Sequence, residues 1–160
     1  MGMDEGPWWD AGRSPILMPV REAAVLQPVA YGTAVIAGAL ICAGLCVGAR
    51  RHPGPWVERA ASGVGVLLLG DVITWTVALV HSGSWTAKES LPLALCNMAV
   101  VVAAAASLTR LPLLVELTYF WGLAGTLQAV LTPDLDAGFP HLVFFEYVVG
   151  HVGIVAAAVY

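Results

Sequence analysis

Residues 28 to 49 contain no Asp, Glu, Lys or Arg. About 20 apolar residues suffice for a helix to cross the hydrocarbon core of a bilayer, and this run is long enough. With no water to bond them there, backbone N–H and C=O groups must pair within the chain, which leaves only helices and closed barrels. A barrel strand alternates apolar and polar residues at period two, and the run shows no such alternation. It reads as a membrane-spanning helix, and the rest of the chain must be compatible with one.

Four further segments repeat the pattern, at 60–81, 91–108, 112–131 and 141–160. Arg50, Arg51 and His52 end the first span, and Pro53-Gly54-Pro55 turns the chain. A polar loop comes after His81, Thr109-Arg110 makes a short break, and Asp134 and Asp136 mark the last loop. Pro28, Pro92, Pro112 and Pro140 stand at or beside span starts, where the missing N–H costs nothing. Ser90 and Thr109 precede two of these starts as expected helix caps. The fold class read from this is all-α, a polytopic transmembrane helix bundle over 28–160 after a polar segment at 1–27. In that segment Trp8 and Trp9 suit the membrane interface. It lacks the basic start and immediate apolar run of a secretory leader. The last span ends on Tyr160 with no polar tail, so a sixth helix is expected beyond it.

Composition narrows the function. Of 160 residues, 59% are hydrophobic and 11% charged, against roughly 45–50% and 25% in soluble domains. That excludes a disordered chain and a soluble enzyme. A net charge of −4 gives no basic surface for nucleic acid. Three cysteines form no disulfide framework. Cys42 and Cys46, four apart beside Gly44 and Gly48, read as a close helix-packing face rather than as a metal site, for which two ligands are too few. No metal or cofactor is expected. Arg50, Arg51, Arg59 and Arg110 fall on one side of the membrane, against Arg13, Arg21 and Lys88 on the other. The positive-inside rule then places the first group in the cytoplasm and the N-terminus outside.

Polar groups at membrane depth are costly and face a cavity or a partner. Here they are Asp71, Cys96, Asn97, Glu116, Tyr119, Gln128, His141, Glu146 and His151. At about 1.5 Å per residue, Asp71 and His151 both lie roughly 15 Å from the outer boundary and Cys96 roughly 7 Å from it. His141 stands at the boundary, so Cys96 falls between the two histidines in depth. A thiol beside an imidazole is an activated nucleophile, and a carboxylate such as Asp71 orients the ring. Packing of Cys96, interfacial placement of His141 and a structural Asp71–His151 pair remain open alternatives. Glu116 and Tyr119 share a face and suit a mutual bond or a contact with Arg110. With Trp121, Gly125 and Gln128 on another face, the fourth helix is expected to be surrounded by protein.

The run 91–97, Leu-Pro-Leu-Ala-Leu-Cys-Asn, is followed by Glu116, by Tyr119-Phe120-Trp121-Gly122-Leu123-Ala124-Gly125-Thr126-Leu127-Gln128, by Phe139-Pro140-His141 and by His151. Over 91–160 this resembles the YwaF-type family of integral membrane proteins, whose animal relative is an acyltransferase making ether-linked phospholipids. The resemblance implies a bundle of about six helices, similar to the intramembrane hydrolases of the androgen-induced-gene type. It implies a catalytic cysteine–histidine pair, with Cys96 as the cysteine and His151, or else His141, as the histidine. Asp71, Asn97, Gln128, Glu116 and Tyr119 are the supporting candidates, with Asn97 or Gln128 as oxyanion donor. The expected partners are membrane lipids, with a phospholipid or lysophospholipid as substrate, in a bacterial plasma membrane. The rival expectation is a non-catalytic protein or small transporter, in which Asp71, Glu116 and His151 line a proton or solute path.

Overall fold

The structure, a computed structural model, describes residues 20–83, 95–133 and 139–160, without the side chains of 20–27. Trp8, Trp9, Arg13, Lys88, Ser90, Pro92, Asp134 and Asp136 lie outside the described residues, as does the side chain of Arg21. Five helices make up the described fold: α1 Val20–Arg51, α2 Pro55–His81, α3 Leu95–Thr109, α4 Pro112–Leu131 and α5 Leu142–Val159. No strand occurs among the described residues. Pro28–Arg51 within α1, and α2, α4 and α5, are each long and apolar enough to cross a membrane; α3 is a shorter apolar helix. This is a multi-pass membrane protein.

Helix ends differ from the expected spans for local reasons. α1 continues on the N-terminal side of Pro28, which sits inside the helix rather than at its start. α2 begins at Pro55, whose ring suits the first turn, five residues ahead of the expected span. Its polar first turns carry Trp56, Glu58 and Arg59, which hydropathy alone does not register. Thr109 does not cap α4. It ends α3, where its hydroxyl donates to Ala105 O at 2.7 Å, and Leu111 is the residue preceding α4. Between them Arg110 takes a left-handed conformation, φ 56°.

α5 is the hub, packing against α1, α2, α3 and α4, while α1 packs mainly on α5. Lipid tails are as apolar as leucine, so hydrophobicity does not drive these helices together; close packing does. The shared core accordingly joins Leu68 of α2, Ala99, Val100, Ala103 and Ala104 of α3, and Ile154 of α5. Glycines let the backbones meet. A Cβ at Gly65 would stand 2.8 Å from Leu108 Cγ and 3.1 Å from the Ala104 carbonyl oxygen. At Gly153 it would stand 2.6 Å from Leu68 Cδ2.

α4 contains a π-helical turn, Gly122–Thr126, within the Trp-Gly-Leu-Ala-Gly-Thr run. Such turns widen the helix and offset the turns beyond them. The last turn of α4 is held from outside. The final carbonyls of a helix have no partner of their own, and leaving one bare away from water costs about 1–3 kcal/mol. Gln128 O accepts from Thr132 N at 2.9 Å, Ala129 O from the Tyr147 hydroxyl at 2.8 Å, and Val130 O from the Tyr31 hydroxyl at 2.8 Å. Two tyrosines from α5 and α1 thus bind the bundle together at this end. The expected burial of α4 on all sides is not found, since Leu113, Val115, Tyr119, Phe120 and Leu131 are exposed.

Candidate functional site

Asp71 and Glu146 come together where α2 and α5 meet, beside Val100 of α3. A Cβ at Gly150 would stand 3.4 Å from Asp71 Oδ2 and 3.5 Å from Val100 Cγ2. Asp71 therefore presses against α5 beside Gly150, one residue before His151, at the shared depth that residue counting gave. Glu146 is one turn before Gly150 on α5, and its carboxyl interacts electrostatically with Asp71. Cys96 is one turn before Val100 on α3. Residues four apart share a helix face, and α3 and α5 run in the same direction. Cys96 and Glu146 thus stand one turn out from the Val100–Gly150 contact, on the same side. Cys96, Asn97, Asp71, Glu146 and His151 are all half-buried.

His151 lies about 100° around α5 from Gly150, toward α4 and α1. Its Nδ1 is 2.8 Å from the Tyr147 carbonyl oxygen. A carbonyl only accepts, so Nδ1 carries the proton and Nε2 keeps a lone pair. The ring stacks on Tyr147, centroids 4.0 Å apart and planes 23° apart, and Tyr147 is itself anchored to Ala129 O. Orientation of His151 thus comes from its own helix. Asp71, the expected orienter, makes no hydrogen bond to it among the described residues; it lies against Gly150, on a face about 100° away.

The other candidates are placed elsewhere. His141 is exposed and precedes α5, its Nδ1 accepting from Val143 N at 3.4 Å; it serves as a helix cap. Gln128 is exposed and donates to Thr132 Oγ1 at 3.4 Å. Glu116 and Tyr119 are exposed, and Tyr119 packs edge-on against Phe120 at 5.5 Å. The expected Glu116–Tyr119 or Glu116–Arg110 bond is not formed; Arg110 reaches α2 instead, donating to Glu58 O at 2.7 Å. No hydrogen bond joins Cys96 to either histidine among the described residues. Cys46 donates to Val159 O at 3.6 Å, so its face does pack, on α5, while Gly44 touches nothing. Tyr31 and Tyr147 are the residues sequence reasoning passed over. For Tyr147 the signal was present: it stands four residues before His151, the spacing that stacks two rings on one helix face.

A family model for the TMEM164 family matches residues 24–160. The chain belongs to the TMEM164 family. That match takes in α1 and α2 as well as the 91–160 stretch, and it overturns the expected membership of the YwaF-type family together with the kinship to an ether-phospholipid acyltransferase. An uncharacterized protein of Treponema pallidum (strain Nichols) is 33% identical over 88 residues, 55% of this chain and 35% of the relative. The match therefore spans about a third of that protein's length. No solved structure matches the chain.

Proposed function

We propose that this TMEM164-family protein is a membrane enzyme that transfers or hydrolyses phospholipid acyl chains, with Cys96 as nucleophile and His151 as base. The observation that carries the reading is the fixing of His151. Its tautomer is set by the Tyr147 carbonyl and its plane by the stacked Tyr147 ring. A lone pair is left on Nε2 of a half-buried ring. A base must be held in the right tautomer before it is useful. Cys96 stands on the adjoining helix, roughly 7.5 Å nearer the His141 end, and the pair closes when substrate binds.

In the reaction, His151 Nε2 takes the Cys96 thiol proton and the thiolate attacks the ester carbonyl carbon. The carbon–oxygen ester bond breaks, the leaving alkoxide takes the proton from His151, and a lysophospholipid departs. Attack on the thioester by an acceptor hydroxyl, or by water, transfers the acyl group and returns the proton to sulfur through His151. Asn97, beside Cys96, is the better placed oxyanion donor, since Gln128 turns outward. Asp71 and Glu146 balance the imidazolium that forms between steps. The bacterial source of the curated relative supports a bacterial plasma membrane as the location.

A second reading has one specific observation in its favour. Asp71 and Glu146 are two acids near enough within the bundle for their charges to interact, the kind of pair that marks a proton path in transport proteins. Lipidomics of cells expressing the wild type, Cys96→Ala or His151→Gln separates the two. Acyl transfer requires a change in phospholipid acyl composition with the wild type that both variants abolish. An unchanged lipid profile, or equal change with Cys96→Ala, contradicts it.

A further inference from the structure

We infer that the arginine-rich end of the bundle holds a binding site for the phosphate of an anionic phospholipid headgroup. An open groove of about 440 Å³ lies there, lined by Pro55, Glu58, Arg59, Ser62 and Arg110. Its two cations come from separate parts of the chain, Arg59 from the start of α2 and Arg110 from the α3–α4 junction. Arg110 is fixed in place. Its left-handed backbone, φ 56°, is uncommon for a residue with a Cβ, and its N–H donates to Ala106 O at 2.8 Å. One guanidinium nitrogen, Nη2, donates to Glu58 O at 2.7 Å and contacts Ser62 Oγ at 3.3 Å.

These bonds engage one edge of the guanidinium and leave its other N–H donors to the groove. Among the described residues neither arginine is ion-paired. With Glu58 the groove lining carries a net charge of +1, so an anionic headgroup is favoured over a zwitterionic one. Planar guanidinium donors match phosphate oxygens in pairs. Arg50 and Arg51 end α1 on the same side, and the Tyr160 hydroxyl donates to Val57 O at 3.1 Å, so the groove lies where helix ends meet the headgroup layer. A phospholipid phosphate is the anion the bilayer itself supplies at that depth. The site is separate from Cys96, which lies at the far end of α3, about 20 Å away along the helix. It stands whatever Cys96 does.

The test uses the purified protein in detergent, titrated with dioctanoyl phosphatidylglycerol, dioctanoyl phosphatidylcholine or inorganic phosphate, with the thermal midpoint as readout. Phosphatidylglycerol is expected to raise the midpoint saturably in the wild type and in Cys96→Ala. Arg59→Gln, which removes no bond of the fold, is expected to weaken that response at least about tenfold, as loss of a charge-assisted contact does. Arg51→Gln, equal in charge change but outside the groove, is expected to leave it intact. Equal weakening by Arg51→Gln reduces the effect to diffuse charge and overturns the site. An equal response to inorganic phosphate or to phosphatidylcholine overturns the headgroup assignment, and no response to any of the three overturns both.

Discussion

The spanning part of α1, Pro28–Arg51, and α5 are equally hydrophobic by mean hydropathy, yet they do opposite jobs. α5 touches every other helix, and α1 leans mainly on α5 with none of its spanning window buried. What separates them is where small and polar residues fall. On α5, Gly150 and Gly153 face Asp71, Val100 and Leu68 at close range, and Glu146, Tyr147 and His151 supply the polar groups. On α1, Gly32 and Gly44 meet nothing, and the helix is held by Gly38 against Val152, by Cys46 on Val159 O and by Tyr31 on Val130 O. Hydropathy says which segments enter a membrane; the small residues say which of them share backbone contact once inside.

This contrast can be broken deliberately. The largest effect is expected for Gly153→Val in α5, where even the first carbon would stand 2.6 Å from Leu68 Cδ2. Such overpacking costs about 3 kcal/mol, read as a lowered midpoint in thermal unfolding in detergent, and a neutral result would mean that α5 is not the hub. Gly38→Leu comes next. Its Cβ would stand 2.5 Å from Val152 Cγ1, so α1 is expected to lift from α5 while the α2–α3–α5 core stays folded. The sign of this is faster maleimide labelling of Cys46 in a Cys42→Ser, Cys96→Ala background. A cooperative loss of the whole fold would instead make α1 part of the core.

Smaller effects separate the two tyrosine anchors. Tyr147→Phe and Tyr31→Phe each leave a terminal carbonyl of α4 without its donor, at about 1 kcal/mol apiece. Only Tyr147→Phe is expected to alter the His151 ring environment, visible in its imidazole NMR signals. Smallest of all, Gly44→Ala on α1 faces open space and is expected to change stability by no more than about 0.5 kcal/mol.

Much of the fold was legible because lipid demands long uncharged helices, and charged or proline-rich breaks separate them. The π turn at Gly122–Thr126 was not, since no residue pattern in the run distinguishes it from an α-helix. Depth was legible in the same way: counting about 1.5 Å per residue put Asp71 level with His151, and Asp71 does lie against Gly150. Rotation about a helix axis was not. His151 points about 100° away from the face carrying Gly150 and Glu146, so its orienting bond goes to Tyr147 O and not to Asp71. Likewise Gln128, Glu116 and Tyr119 are polar or aromatic residues that turn outward, a choice that small differences in packing decide.

In the proposed reaction Cys96 accepts an acyl chain and His151 activates the thiol. Intact-protein mass spectrometry tests this most directly, on protein purified in detergent and exposed to a phospholipid with isotope-labelled acyl chains. The predicted result is one labelled acyl group per chain, released by hydroxylamine, absent from Cys96→Ala and strongly reduced in His151→Gln. No adduct on the wild type, or the same adduct on Cys96→Ala, would contradict it.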